Sequence, residues 1–277
     1  MKWLWVCAGV SLASAAWGQG RLLVFADKNY LGPAVGKFEP SRGWIAADDF
    51  YEPPNPQDPF TLYGVAGKLA DVRIVDPRRA WPQGTFADWS AKISPWDWTA
   101  QPHAIAVAGA GAAPARLARK LPLDDPSAVA VVAEFLKRKG LRVSHPLLTQ
   151  AFAVDLDGDG MDEQLICAHS DASALRDHEP AAIYALALLH FKARAGAERT
   201  AALFSQASYK PSDRTMAQQQ RFYGVRHFER WLGFLDLTGD GRLEAVLYDA
   251  QVDGTQVDVF SFDGRRAVRV LNVFRPF

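Results

Sequence analysis

With 277 residues and 49% hydrophobic content, the chain is long enough to bury a sizeable core in one or two domains. Its 31 basic and 31 acidic side chains cancel, which argues against nucleic acid as a partner. After the first twenty residues no stretch approaches the roughly eighteen apolar residues of a membrane helix.

The amino terminus reads as an export signal, expected over 1–18. Lys2 and the apolar run from Trp3 to Leu12 precede Ala13-Ser14-Ala15 and Ser14-Ala15-Ala16, small residues suited to cleavage. A periplasmic or secreted protein without a transmembrane segment is the expectation. Bulky Val6 before Cys7 is unlike a lipoprotein site. Removing Lys2 leaves 31 − 1 = 30 basic against 31 acidic groups, and Cys167 becomes the sole cysteine. An exported chain without an intramolecular disulfide must rely on its core or on bound metal.

Residues 19–124 form a β-rich, loop-rich front region. Arg21 to Phe25 reads as a strand. Asp48 to Pro59 carries four prolines, which remove donors and fix the backbone, and reads as a loop. Phe60 to Val75 alternates unevenly around Gly64 and Gly67, as strands joined at a turn or bulge do. Trp81, Trp89, Trp96 and Trp98 form the densest aromatic patch. Such rings most simply close a small core. The alternative is a sugar-stacking platform, which with Asp48, Asp49 and Glu52 describes a carbohydrate-active enzyme. Gly109-Ala-Gly-Ala-Ala-Pro114 mimics a dinucleotide loop, but Pro114 stands where the third glycine belongs. It reads as a loop.

One clear helix is expected over about 126–139. Asp125 can cap it, Pro126 suits its first position, and Gly140 is placed to end it. Val129, Val132, Ala133, Phe135 and Leu136 supply its apolar face, and Lys137, Arg138 and Lys139 favour the dipole in the last turn. This helix marks the expected start of a second domain, 125–277.

That domain contains a duplication. Asp155-Leu-Asp-Gly-Asp-Gly-Met-Asp-Glu163 recurs as Asp236-Leu-Thr-Gly-Asp-Gly-Arg-Leu-Glu244, an offset of 236 − 155 = 81 residues. An apolar strand leads into each loop (Ala151 to Val154, Trp231 to Leu235) and another follows (Gln164 to Ala168, Ala245 to Tyr248). A hairpin closes each unit. In the first, Ile183–Lys192 and Arg199–Ser208 flank 193–198; in the second, Gln256–Phe262 and Arg266–Phe274 flank Asp263-Gly264, a strong tight-turn pair. The fold expected is mainly β, with antiparallel sheets in two propeller-blade-like four-stranded units, about 151–210 and 231–277. A full closed propeller does not follow from two repeats.

So many carboxylates in nine residues call for a cation, and calcium takes roughly six to eight oxygen ligands. An EF-hand is excluded, because position twelve is Ile166 in one loop and Leu247 in the other. The shared core Asp-x-(Asp/Thr)-Gly-Asp-Gly-x-x-Glu, followed by a strand, resembles instead the calcium loops of FG-GAP/VCBS repeats, the kind found in integrin α-chain propellers. The resemblance covers about 151–277. It implies two calcium sites, with Asp155, Asp157, Asp159 and Glu163 as side-chain ligands and the Met161 carbonyl adding another. In the second loop it implies Asp236, Asp240 and Glu244, the Arg242 carbonyl, and Thr238 through its hydroxyl or a water. Thr238 and the glutamate at position nine, where aspartate is usual, depart from the family pattern. Four carboxylates against three predict tighter binding at the first site.

No Gly-x-Ser-x-Gly, His-Glu-x-x-His or P-loop occurs. The six histidines are scattered, with His145 before Pro146, and Cys167 and His169 lie two apart on an expected strand. Phe277 resembles an outer-membrane barrel end, but Arg275 and Pro276 break the alternation. The functional expectation is an exported calcium-binding protein, a binding or adhesion module for an unknown protein or glycan with structural calcium; the alternative is a periplasmic or secreted carbohydrate-active enzyme using the Trp-rich front region.

Overall fold

The computed structural model describes residues 20–27, 30–49, 58–79, 89–96, 99, 103–109, 116–141, 143, 145–170, 183–192, 196–208, 228–250 and 254–276. The expected signal, Glu52, Trp81, Trp98 and the 111–114 stretch lie outside them, as do the side chains of Asp48 and Trp89.

The front region closes on itself. Strands β1 (Arg21–Asp27), β2 (Tyr30–Glu39), β3 (Gly43–Ala46), β4 (Phe60–Gly64), β5 (Gly67–Arg79), β6 (Trp89–Ser94) and β7 (His103–Ala108) form one antiparallel sheet in the order β1-β7-β4-β5-β6-β2-β3. A further β1–β2 ladder makes six of them a closed barrel, with β3 hung on β2. Along β1, Leu22, Val24 and Ala26 fill the barrel while Leu23 and Phe25 face outward into a second core. Ala104, Ala106 and Ala108 of β7 likewise point in, and Ile105 and Val107 out. The small alanines suit the narrow interior of a six-stranded barrel. Trp96 is half-buried against that interior.

The second half is two meanders. After the short β8 (Arg119–Lys120) and helix α1 (Pro126–Arg138) come β9 (Leu148–Val154), β10 (Glu163–His169), β11 (Ile183–Lys192) and β12 (Glu198–Ser208). They pair in chain order as the first meander sheet. Strands β13 (Phe228–Leu235), β14 (Glu244–Ala250), β15 (Gly254–Phe262) and β16 (Ala267–Pro276) do the same as the second. The expected order of strand, acidic loop, strand and hairpin is present in both. The first sheet has one strand more than expected, because Arg119 and Lys120 pair with Ala153 and Phe152 at its edge.

The layers stack in the order helix, first sheet, second sheet, barrel. Ala128, Val132, Phe135 and Leu136 of α1 cover one face of the first sheet. The other face, with Phe152, Leu165 and Phe191, packs on Trp231, Phe234 and Phe262 of the second. The far side of the second sheet, with Val246, Val259 and Leu271, packs on the barrel's outward Leu23, Ile105 and Val107. Each meander is thus buried on both faces, which is why the inner strands β10, β11 and β14 are near-continuous apolar runs rather than alternating ones. Asp125 Oδ1 accepts from Ser127 N and Ala128 N at 3.1 Å each, and Gly140 adopts φ +80° beyond the helix end.

Gly36 on β2 marks how closely barrel and second sheet approach. A Cβ there would stand 2.6 Å from Leu271 Cδ1 and 2.8 Å from the Ile45 carbonyl oxygen. Gly36→Ala should therefore cost about 1–3 kcal/mol through overpacking at this seam. Chemical denaturation measures it, and unchanged stability would contradict the layer contact.

Candidate metal centre

The two acidic loops occupy matching places, each joining the first and second strands of its meander. Their apolar second residues anchor them: Leu156 and Leu237 are buried, as is Leu243. The aspartate at position one organises each backbone. Asp155 Oδ1 accepts from Gly158 N at 2.7 Å and Oδ2 from Gly160 N at 3.2 Å. Asp236 repeats this with Gly239 N at 2.6 Å and Gly241 N at 3.1 Å. Asp157 Oδ1 takes Asp159 N, Asp159 Oδ1 takes Met161 N, and Asp240 Oδ1 takes Arg242 N. Gly158 and Gly239 both sit at φ +81°, a conformation that disfavours any side chain.

The glutamates at position nine lie beneath the loops. Glu163 Oε2 accepts from Leu156 N at 2.7 Å, and Glu244 Oε2 from Leu237 N at 2.8 Å. They are 4% and 1% exposed, so each holds its loop to the sheet from below. Burial raises the Glu163 carboxyl to about 7, helped by Asp157, Asp155 and Asp159 and opposed by the Leu156 N–H. Burial likewise raises Glu244 to about 8, with Asp240 and Asp236 adding to it and the Leu237 N–H opposing.

The structure brings Asp155, Asp157 and Asp159 together, with ligand-type oxygens all within 4.8 Å of one another. Among the described residues this is the one such group of three or more acid, histidine or cysteine side chains. It could hold a metal ion. Glu163 meets the Leu156 N–H through Oε2. In the second loop Asp236 and Asp240 engage their own backbone, while Thr238 Oγ1 is buried with no hydrogen-bond partner. An orphaned hydroxyl oxygen in an acidic loop fits a cation better than it fits a loop satisfied without one. All these donors are oxygens, the set a hard divalent ion takes. The side chains of Met161 and Arg242 are exposed.

Contacts absent from the sequence reading tie the loops together. Leu243 N donates to Leu156 O at 2.8 Å, joining the second loop to the first. Arg116 reaches both loops, Arg21 reaches the second, and the Asp157 carboxylate lies against Gly264 in the β15–β16 turn. Nothing in local spacing announces these partners, which lie 39 to 215 residues apart in the chain where they hydrogen-bond.

The remaining candidates sit elsewhere. Cys167 is sealed in the core between the sheets, where burial pushes its thiol well up. His169 Nδ1 lies 3.2 Å from the neighbouring Ser170 carbonyl oxygen. Asp49 and His145 are exposed. Comparisons with protein families, curated proteins and solved structures return no match.

The raised glutamates give a pH signature with a definite sign. A folded-state value above the ordinary 4.5 means the protonated carboxyl is favoured on folding. That stability is fully present at pH below 4.5 and is lost as pH rises through about 7 and then about 8. In chelator, the melting temperature should fall by several degrees between mildly acidic and mildly alkaline pH. The double variant Glu163→Gln/Glu244→Gln, which still accepts the backbone N–H, should flatten the profile. A wild-type melting temperature that rises over this range would overturn the assignment.

Proposed function

We propose that the protein is an exported, calcium-stabilised β module whose two acidic loops each take one calcium ion, and that it acts in binding or adhesion. The observation that carries this is the pairing. Two loops 81 residues apart join equivalent strands of two stacked meanders, and the first gathers three aspartates within 4.8 Å. The resemblance of both loops to FG-GAP/VCBS calcium loops supports the choice of calcium. Asp155, Asp157, Asp159 and Glu163, with the Met161 carbonyl, would hold the first ion. Asp236, Asp240 and Glu244, with Thr238 and the Arg242 carbonyl, would hold the second. A bound divalent ion supplies charge neutralisation and a rigid link between strands; it drives no reaction here. Calcium in this reading is structural, and the partner, protein or glycan, is met on surfaces other than the loops.

At millimolar calcium and a dissociation constant near 10⁻⁴ M, each filled site adds roughly 1.4 kcal/mol. The melting temperature should rise by a few degrees on moving from chelator to calcium. Four carboxylates against three rank the sites, so Asp159→Ala should weaken binding more than Asp240→Ala in a calcium titration. No thermal response to calcium removes the support for this reading, and the opposite ranking contradicts the charge argument.

A further inference from the structure

Each acidic loop is overlaid by an arginine from outside the duplicated unit. Arg116, just before β8, lies over Gly158, where an added Cβ would stand 2.5 Å from Nη1. Arg21, the first residue of β1, lies over Gly239, the matching glycine at 239 − 158 = 81, where a Cβ would stand 3.4 Å from Nη2. Arg21 Nη1 donates to the Asp236 carbonyl oxygen at 2.6 Å. Arg116 Nη1 is 3.5 Å from Asp155 Oδ2, and its Nη2 donates to the Leu156 carbonyl oxygen at 3.2 Å.

Arg116 goes further. The same Nη2 donates to the Gly241 carbonyl oxygen of the second loop at 2.6 Å. Leu156 O, which it holds, also accepts from Leu243 N of the second loop at 2.8 Å. One planar, permanently charged fork therefore spans both loops, beside a backbone bond that spans them too. Its side chain is 25% exposed, so water screens its contacts only in part. A lysine, with one compact ammonium, could not reproduce the arrangement.

We propose that Arg116 is a positioning residue that makes the two loops order as one unit, so that a cation taken by one loop favours uptake by the other. The link between loops stands on the contacts above; its triggering by calcium rests on the function proposed in the preceding subsection. Arg21, whose Nη1 donates to the Asp236 carbonyl oxygen, serves as the comparison for the second loop.

The test has a metal-free arm and a calcium arm, both on the full chain. In chelator, amide exchange is followed at Gly160, Gly241 and Leu243, whose N–H groups are bonded within and between the loops. Arg116→Gln should speed exchange roughly tenfold in both loops, the loss of about one such hydrogen bond. Arg21→Gln should speed it in the second loop alone. Exchange at Val24 inside the barrel reports that the fold is intact; if Arg116→Gln does not fold, Arg116→Lys keeps the charge, loses the fork and takes its place.

In the calcium arm, Asp240→Ala should weaken calcium at the first loop several-fold, read from the Gly160 amide during titration. That effect should vanish in the Arg116→Gln background. Exchange in the second loop unchanged by loss of Arg116, or an Asp240→Ala effect that persists without it, overturns the proposal. If calcium binds neither loop, the function proposed above fails, and the exchange arm alone decides whether Arg116 links them.

Discussion

Trp231, Phe234 and Phe262 of the second meander pack against Phe152 and Phe191 of the first, with ring centroids 5.7 Å apart for Phe152–Phe234 and 5.0 Å for Phe191–Phe262. Most of the structure's other features depend on this face-to-face contact. It sets the two sheets in register, so that loops 81 residues apart in sequence meet at one end of the stack. The Leu243 N to Leu156 O bond, the bridge made by Arg116 and the placement of Asp157 beside Gly264 all follow from it. Aromatic rings suit the task, since each buries a large area and edge-on pairs add to it.

The acidic loops carry the electrostatic cost of that packing. Three aspartates converge above a buried glutamate in the first loop, and burial raises the glutamate before the neighbouring charges raise it further. The backbone absorbs part of the strain, because aspartate oxygens at position one each take a glycine N–H. The arginines absorb another part. Neither satisfies Thr238 Oγ1 in the second loop. A divalent ion would meet both needs, lowering the glutamates and giving the hydroxyl a partner.

Much of the second half was legible in the sequence. Strands β10 and β14 were readable as apolar runs because both of their faces are buried, and β11 and β15 were readable as hairpin arms. Asp263-Gly264 marked the last hairpin, and Asp125 and Gly140 marked the helix ends. The three aspartates of the first loop were readable as one group because five residues can bring them together locally. The front region was different. Its strands could be suspected singly, but barrel closure depends on β1 pairing with both β2 and β7 and on a short β2–β6 seam at Tyr30–Lys92 and Leu31–Ala91. No pattern within any one strand records its neighbour.

The sequence by itself therefore determined the duplication, the meander order, the acidic loops and the helix, because each is written in residues near one another and enforced by periodicity, turn chemistry or capping. Only the tertiary structure decided that the front region is a barrel, that the layers run helix, sheet, sheet, barrel, and that Glu163 and Glu244 hold backbone N–H groups from beneath. It also decided that Arg116 and Arg21 overlie the loops. These features arise from packing between segments far apart in the chain, where complementarity of shape and charge selects the partner and sequence separation carries no trace of it.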